Sequence, residues 1–332
     1  MPSDEQHWTS RISAVFVTFN SARVIRQALQ SLPRGVEAIV VDNASEDESV
    51  SVALAEGARC IRNSENLGFG TASNLGAAEC DREFILFLNP DAALTGDALK
   101  LMMETAIRYP AAGAVGPKLI APGGRTIWRF ASVLHPVPGG AFVPPDEPVA
   151  ACCMPLLTGA ALLCRREAFE AIGGFDRNIF LYHEDDDLSL RLTRAGWSLI
   201  YEPGARVFHA FGRSSAHSPS IARFKAEQHM LSRAYVFRKY GMRFDPGYEH
   251  RKSIKRLLIA LATFDFNRRA AAFGRLDALR HLKAEGGANG ARQWKLPAAR
   301  ETAPRFAGSA FAGRKPDDTT SDGGAEGHRR PA

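Results

Sequence analysis

The run Phe84–Leu88 is the feature that most limits how this chain can fold. Its five consecutive apolar residues, Phe-Ile-Leu-Phe-Leu, are followed directly by Asn89, Pro90 and Asp91. A short unbroken run of this composition predicts a strand buried on both faces, as in a parallel sheet covered by helices. Because Pro90 has no backbone N–H, the chain must leave the sheet at Asn89, which puts Asp91 just past the carboxyl end of the strand.

The segments before this run repeat a pattern of buried strand followed by helix. The predicted strands are Ile12–Thr18, Ala38–Val41 and Arg59–Ile61, and helical patterns separate them. This β-α-β-α-β-α-β alternation predicts an α/β fold with a parallel, doubly wound sheet. Later strand-like segments are Ala114–Ile120, Leu156–Cys164, Trp197–Tyr201 and the short Val207–His209.

Polar side chains follow several of these strands. They are Thr18 and Asn20 after the first, Asp42 and Asn43 after the second, and Asn89 and Asp91 after the fourth. In a parallel sheet the carboxyl ends share one edge, where ligands bind. A carboxylate beside an amide oxygen at that edge suits a hard divalent cation that bridges to phosphates. The alternative is that these residues only cap helices or make Asx turns.

The stretch Glu184–Asp187 is the densest chemical feature of the chain. Four consecutive carboxylates precede or open a predicted helix over residues 186–195. One interpretation is a solvated helix N-terminus, where the helix dipole favours acidic side chains. The apolar Leu188, Leu190 and Leu192 instead indicate a partly buried helix, whose first turn could hold a general base.

Two isolated residues carry weaker signals. His209 ends a short apolar segment, and a lone histidine there is usually a structural hydrogen-bonding group. It becomes a metal ligand only if the fold places it near Asp91. Gly159 interrupts the apolar segment Leu156–Cys164 and permits close approach of a ligand or a neighbouring strand.

Charge is distributed unevenly along the 332 residues. The net charge is +6, yet residues 1–205 contain 17 Lys and Arg against 25 Asp and Glu, whereas residues 206–332 contain 25 against 11. In the basic part, residues 251–264 place a cationic start before an apolar run, which predicts a helix lying on a surface, and a further helix is expected at about 267–284. An ordinary solvated helix pair and contact with an anionic membrane both fit this pattern.

The compartment is inferred from what the sequence lacks. No apolar core of a signal peptide precedes Ile12, and no run has the length of a membrane span. The five cysteines show no paired metal spacing and are interpreted as free thiols in a reducing compartment. We therefore expect a cytoplasmic protein.

Taken together, the motifs resemble those of the family 2 glycosyltransferases, and most of all the rhamnosyltransferase-like branch. They occur in consistent order over roughly residues 11–240: Val15–Asn20, Val41–Ser45, Asn66–Gly70 with Asn74, Leu88–Asp91, Thr158–Ala160, Gly174–Asp176, Glu184–Leu188 and His209. The resemblance implies the GT-A nucleotide-diphosphosugar transferase fold, with a mostly parallel central sheet flanked by helices and a C-terminal helical extension. It divides the chain into an N-terminal tail (1–10), a GT-A domain (11–240), a basic amphipathic helical extension (241–297) and a disordered tail (298–332).

The resemblance also implies roles for individual residues. Asp185 matches the catalytic base, with Glu184 and Asp187 as rivals. Asp91 is the metal-binding carboxylate that remains of the family's Asp-x-Asp, and His209 matches a position that completes a Mg²⁺ or Mn²⁺ site. The residues matched to nucleotide-sugar binding are Thr18, Asn20, Asp42, Asn66, Gly68, Asn74, Asn89, Asp91 and Gly159.

The activity implied is that of an inverting, metal-dependent glycosyltransferase of cell-envelope polysaccharide synthesis. It would move a sugar from a nucleotide-diphosphosugar donor, with dTDP-L-rhamnose as the family-level expectation, to a glycan or polyprenyl-pyrophosphate-linked acceptor. The basic helices would hold it against the inner face of the cytoplasmic membrane. Nucleic acid is not an expected partner, because the basic residues are not interleaved with a stacking platform.

Two other functions are compatible with the same fold. A sugar nucleotidylyltransferase needs a Gly-rich, Arg- and Lys-bearing loop after its first strand, where this chain has Phe19-Asn20-Ser21-Ala22. A catalytically inactive nucleotide-sugar-binding scaffold has no need of the acidic stretch Glu184–Asp187 or of Asp91.

Overall fold

The computed structural model describes residues 8–127, 129–136, 146–210 and 218–286. The strands are β1 (Ile12–Thr18), β2 (Glu37–Asp42), β3 (Arg59–Arg62), β4 (Phe84–Leu88), β5 (Ala92–Thr95), β6 (Ala112–Ile120), β7 (Thr126–Ile127), β8 (Cys152–Cys153), β9 (Ala161–Arg165) and β10 (Ser198–His209). The helices are α1 (Ala22–Gln30), α2 (Ser49–Ala55), α3 (Phe69–Ala78), α4 (Ala98–Arg108), α5 (Arg166–Ala171), α6 (Glu184–Arg194), α7 (Pro219–Lys239), α8 (Pro246–Ala262) and α9 (Phe266–Gly286).

The strands form one mixed sheet in the order β3-β2-β1-β4-β9-β6-β10-β5, with β7 on β6 and β8 on β10. Strands β1 to β4 pair in parallel, and so do β6 and β10. The prediction of an α/β fold with a central sheet flanked by helices is therefore confirmed, and the sheet is mixed, because the pairs of β9, β5, β7 and β8 with their neighbours are antiparallel. Strand β9 runs antiparallel between β4 and β6, and the described residues between β6 and β9 form no helix.

The apolar run Phe84–Leu88 is the buried central strand that its sequence predicts. Phe84 and Leu86 belong to the core on the face covered by α1 and α4. Phe87 belongs to the opposite face, where its ring lies 5.0 Å from that of Phe169 and 5.2 Å from that of Phe175. Each fully buried Phe contributes roughly 1.5–3 kcal/mol, so the strand is anchored from both sides and its carboxyl end is fixed.

The chain leaves the sheet at Asn89, as the sequence predicts, since β4 ends at Leu88. After Pro90 the chain re-enters the sheet as β5, at its far edge, antiparallel to β10. A segment of four residues is too short for an alternating apolar and polar pattern to predict a strand. The strand is therefore recognised only from its pairing with β10 in the structure. Leu94 is buried and carries the strand into the core on the α1 and α4 side.

Strand β10 joins two segments that the sequence separates. Pro203 and Gly204 interrupt the apolar pattern, yet β10 is continuous and pairs with β6 on both sides of a register shift between Glu202 and Arg206. This irregularity in the pairing accommodates Pro203 within the strand, because a proline cannot donate a hydrogen bond to the neighbouring strand. Its second half pairs with β5 so that His209 faces Ala92, next to Asp91.

The C-terminal helices α7, α8 and α9 follow the sheet. Ser218 and Asp245 cap α7 and α8 by accepting hydrogen bonds from the backbone N–H groups of Ile221 and Tyr248. Helices α7 and α9 cross closely, since a Cβ at Gly274 would collide with the carbonyl oxygen of Arg223.

Among the described helices, none combines the length and the apolar character that crossing a bilayer requires. The tail over residues 298–332 that the sequence predicts to be disordered lies outside the described residues, as does most of the predicted N-terminal tail.

Candidate active site

A cleft of about 410 Å³ opens at the carboxyl ends of β1, β2 and β4. It is walled on the other side by the start of α6 and by α7. The cleft brings together eight of the residues singled out from the sequence: Asn66, Gly68, Asn89, Asp91, Gly159, Glu184, Asp185 and His209. The carboxylate behind Pro90 and the acidic stretch, 93 or more residues apart in the chain, therefore face one cavity.

Asp91 and His209 meet because β5 pairs with the end of β10. The Asp91 side chain is 2% exposed, and its Oδ1 lies 3.3 Å from Nε2 of His209. The backbone N–H of Ala210 donates to the Asp91 carbonyl, which closes the pair from behind. The amide nitrogen of Asn89 lies 3.5 Å from the same imidazole nitrogen, so three predicted site residues share one corner.

This corner has the chemistry of a partial metal site. A carboxylate oxygen and an imidazole nitrogen together suit Mn²⁺ better than Mg²⁺, which prefers an all-oxygen shell. Within the described part of the chain, no cluster of three or more His, Cys, Asp or Glu side chains could enclose an ion. An ion bound by Asp91 and His209 would thus need ligands beyond the His, Cys, Asp and Glu side chains of the described residues.

The ends of β1 and β2 form a support beneath the cleft. Thr18 donates through its hydroxyl to Asp42 (2.9 Å), and Asp42 also accepts from the backbone N–H of Ser45. Thr18 and Asp42 are fully buried and do not line the cavity. Asn20 adopts a left-handed backbone (φ 54°) and accepts from the N–H of Glu46, which ties the two loops together.

Gly68 is required by a close approach. Its φ is +80°, and a Cβ there would collide with the carbonyl of Phe180, which accepts a hydrogen bond from the N–H of Phe69. Asn66 accepts from the N–H of Gly68 and shapes the turn. Asn74 is buried outside the cavity, where its amide bonds both the N–H and the carbonyl of Phe175. It joins α3 to the segment that leads to the acidic stretch.

Helix geometry separates the four consecutive carboxylates. Glu184 and Asp185 line the cleft, whereas Asp186 and Asp187 are fully buried away from it. Asp187 accepts from Arg191 Nε (2.7 Å) and from Tyr240 OH (2.6 Å), and it also pairs with Lys239. The structure therefore does not bring Asp187, one of the three predicted catalytic carboxylates, to the cleft.

Asp186 and Asp185 share a guanidinium. Arg129 lies 2.6 Å from Asp186 Oδ1 and 3.2 Å from Asp185 Oδ2. Asp186 is held further by Nδ1 of His183 (3.0 Å), and Asp185 accepts from the N–H of Gly159 (3.3 Å). The backbone at His183 is left-handed (φ 68°), so the chain turns sharply just before α6 begins.

The carboxylates of this stretch have different proton affinities. Burial, followed by the charge of Asp185, raises the pKa of Glu184 to about 8. Burial and the charge of Asp186 raise the pKa of Asp185, while Arg129 opposes the rise. Burial also acts to raise the pKa of Asp186, but the hydrogen bond from His183 and the charge of Arg129 lower it overall. Glu184 thus binds its proton more tightly than a free glutamate does, and its Oε2 is buried without a hydrogen-bond partner among the described residues.

Sequence reasoning missed two cationic residues of the site. Arg129 lies in the Pro- and Gly-rich excursion, and its only signal is a positive charge in an otherwise weakly charged segment. Lys225 lies on α7 and lines the cleft beside Phe224. Burial lowers the pKa of Lys225, and the charge of Asp91 opposes that shift. The basic pattern of α7 is visible in the sequence, but which cation turns toward the cleft is not.

Comparison with known proteins shows where similar sequences and folds occur. The profile "Glycosyl transferase family 2" matches residues 13–173, and "Glycosyltransferase like family 2" matches residues 150–224. The N-acetylglucosaminyl-diphospho-decaprenol L-rhamnosyltransferase of Mycobacterium tuberculosis is 28% identical over 250 residues, which cover 64% of this chain and 80% of that protein.

Two solved structures have a similar fold. GalNAc-T7 with UDP, GalNAc and Mn²⁺ superposes with a TM-score of 0.51 at 15% identity, covering 82% of this chain and 56% of that one. The mannosyltransferase PcManGT from Pyrobaculum calidifontis, in complex with GDP-Man and Mn²⁺, gives 0.50 at 18% identity, covering 85% and 76%. At these identities the likeness extends to the fold alone.

The different surroundings of Asp187 and Asp185 predict opposite effects on stability. We expect Asp187→Asn to lower the free energy of unfolding by about 2–4 kcal/mol, less than the full cost of breaking a buried pair because Lys239 and Arg191 are partly exposed. Asp185→Asn should leave stability unchanged or higher at pH 7, since a raised pKa means that folding disfavours the charged carboxylate. Urea unfolding of both variants measures this, and equal stabilities would contradict the assignment.

Proposed function

Because the chain belongs to glycosyltransferase family 2 and has the GT-A fold with rhamnosyltransferase-like sequence features, we propose that it transfers a sugar from a nucleotide-diphosphosugar to an acceptor hydroxyl, with inversion at the anomeric carbon. One observation carries the proposal. Asp91, His209 and Asp185 all line one cleft, whose volume of about 410 Å³ is of the size that binds small molecules.

The donor would occupy the half of the cleft that lies over β1, β2 and β4. Its nucleotide would lie between Phe19 and the turn at Asn66 and Gly68, all of which line the cavity. Thr18, Asn20, Asp42 and Asn74 would act from beneath by holding these loops in place. The diphosphate would then reach the corner formed by Asn89, Asp91 and His209.

The donor and acceptor are proposed from the relative in Mycobacterium tuberculosis. The name of that enzyme describes L-rhamnose transfer to N-acetylglucosaminyl-diphospho-decaprenol. We propose a nucleotide-diphospho-rhamnose donor, dTDP-L-rhamnose in particular, and a polyprenyl-diphosphate-linked sugar as the acceptor, in the synthesis of a cell-envelope polysaccharide.

Asp185 would be the general base. As the acceptor oxygen forms its bond to the anomeric carbon, Asp185 takes the hydroxyl proton, and the bond from that carbon to the phosphate oxygen breaks on the opposite face. Glu184 also lines the cleft and is the rival for this role, but burial and the charge of Asp185 raise its pKa to about 8, which favours its protonated form at neutral pH. Asp186 and Asp187 are bound to cationic side chains and are buried away from the cavity.

Asp91 and His209 would hold a divalent cation, with Mn²⁺ or Mg²⁺ as the proposed ion. Such an ion supplies neutralisation of the charge that develops on the leaving nucleoside diphosphate. The residues themselves orient the diphosphate: Asn89 and Asp91 are fixed by β4 and β5, and His209 is fixed by β10. Lys225 places a second positive charge at the same cleft.

The activity is tested by incubating the purified protein and Mn²⁺ with a panel of nucleotide sugars and measuring release of nucleoside diphosphate. We expect Asp185→Asn to lower turnover by ~10²–10⁴-fold, while a donor at 100 times its dissociation constant still stabilises the variant by about 2.7 kcal/mol. Asp97→Asn, which alters an exposed carboxylate outside the cleft, is the matched control. Full turnover by Asp185→Asn would remove it from the role of base, and failure of every donor to bind or react would refute the transferase.

The metal proposal predicts that chelation acts through the diphosphate. EDTA should abolish turnover and weaken binding of a nucleoside diphosphate, while binding of the corresponding nucleoside, which lacks phosphate, should not change. Asp91→Asn should show the chelated behaviour even with Mn²⁺ present. Calorimetric titration of both ligands, with and without Mn²⁺, measures this. Undiminished affinity and activity in EDTA would overturn the metal site.

Arg129 predicts a shift in the pH dependence of the reaction. The Arg129 charge opposes the rise in the pKa of Asp185, so Arg129→Gln should raise that pKa further. The acid limb of the kcat/KM profile, where the base must lose its proton, should then move to higher pH. Arg129→Lys, which keeps the charge, should restore much of the original limb. A uniform loss of activity at every pH, with no displacement of the limb, would contradict an electrostatic role.

A further inference from the structure

The turn between α8 and α9 exposes an unusual concentration of large apolar side chains. Of the fourteen large apolar side chains that are strongly exposed among the described residues, eight belong to α8, α9 and the turn between them. Four of them lie in or beside the turn and are here named the apolar tip: Leu258 (61%), Leu261 (47%), Phe264 (84%) and Phe266 (60%). Their clustering, rather than exposure of any single residue, calls for a partner.

Helix α8 is oriented with its large apolar residues toward solvent. Ile254, Leu258 and Leu261 follow at i, i+4 and i+7 and are all exposed. The opposite face of the helix turns Ser253 (1% exposed) and Ala260 (1%) toward the protein. A helix that only covers a core would present the reverse arrangement, so the apolar face of α8 is built for something outside the described fold.

Phe264 adds a backbone feature at the same place. Its φ is +53°, the left-handed region that aromatic residues rarely adopt. This conformation ends α8 and turns the chain into α9, whose first turn Asp265 caps by accepting from the N–H of Arg268. The protein thus holds a strained aromatic residue in its most exposed position in this region, instead of the glycine that the turn would favour.

The rim of the apolar tip is cationic. Helix α8 contributes Arg251, Lys252, Lys255 and Arg256, and the first turn of α9 contributes Arg269 and Arg268, of which Arg268 pairs with Asp265 of the turn (3.2 Å). The one acidic side chain of α8, Glu249, is buried and lies near Arg233. Exposed apolar side chains surrounded by lysine and arginine match an anionic bilayer, because insertion and surface charge each supply part of the binding energy.

We propose that the apolar tip inserts into the headgroup region of an anionic membrane, with the cationic rim on the lipid phosphates. A second copy of the chain fits the surface less well, since two such rims would face each other and repel. The proposal names the membrane surface on which a lipid-linked acceptor would be found, and in that respect it rests on the proposed function. Bilayer binding itself does not depend on catalysis.

Helices α9 and α7 connect the apolar tip to the cleft. Helix α9 packs on α7 at Gly274, where only a glycine allows the carbonyl of Arg223 to approach, and Arg223 also pairs with Asp277 (2.6 Å). Helix α7 in turn presents Ile221, Phe224 and Lys225 to the cleft. Membrane insertion of the tip would therefore hold the cleft in one orientation to the bilayer.

The test is flotation of the full chain with vesicles of phosphatidylcholine alone or mixed with phosphatidylglycerol. We expect the protein to bind the anionic vesicles with an affinity that falls as salt rises. The triple variant Leu258→Gln, Leu261→Gln, Phe264→Asn should lose at least about tenfold in affinity, because it removes two leucine side chains and one phenylalanine side chain that would insert into the membrane. The matched control is Leu54→Gln with Ile107→Gln, which alters side chains of similar exposure (56% and 48%) on α2 and α4. The control should bind like the unaltered protein.

Donor hydrolysis, measured in parallel, separates this proposal from the proposed function. The triple variant should still hydrolyse the donor in solution. If the unaltered protein binds vesicles but shows no transferase activity, the membrane proposal is supported and the proposed function is refuted. No binding to anionic vesicles, or equal binding by the triple variant, overturns the membrane proposal. Light scattering that shows a dimer of the unaltered protein and a monomer of the triple variant would also overturn it, in favour of a second copy.

Discussion

The pairing of β5 with the second half of β10 is the interaction on which the candidate site depends most. It is a short antiparallel contact, with Ala92 opposite His209, at the edge of a sheet whose neighbouring strands are parallel. Because Asp91 immediately precedes Ala92, this register sets a carboxylate beside an imidazole that comes from 118 residues later in the chain. A shift of one residue in this register would turn the side chains of the shifted strand to the other face and separate the pair.

Regular helix geometry determines which of the four consecutive carboxylates reach the cleft. Four consecutive acidic residues begin α6, and the rotation of about 100° per residue sends them to different surroundings. Two carboxylates reach the cleft, and the other two are bound within the protein by Arg129, His183, Arg191 and Lys239. The cationic partners hold the first turn of α6 in place, and the burial that they make possible is what raises the proton affinity of Asp185 and Glu184. A cluster that looks uniform in sequence thus contains groups with distinct structural and chemical roles.

Helix α7 connects the two parts of the molecule. One side of it closes the cleft with Phe224 and Lys225, and its last turn reaches Asp187 through Lys239. Further contacts join it to α9 and hence to the exposed turn after α8. The cleft, the acidic stretch and the basic helical extension therefore all contact the same helix. The domain boundary at residue 240 that the resemblance implies directly follows α7.

The sequence by itself determined the α/β class, the order of the elements and the residues at the strand ends. These properties follow from local periodicity and from the restrictions on proline, which is why Ile12–Thr18 and Phe84–Leu88 are strands with the bounds expected. Tertiary structure alone decided the antiparallel entry of β5 and β9, the meeting of Asp91 with His209, and which of Glu184, Asp185 and Asp187 line the cleft. It also brought Arg129 to the carboxylates and turned the apolar face of α8 outward. The physical reason is that strand pairing, burial and charge neutralisation depend on contacts between residues far apart in the chain, which no local pattern specifies.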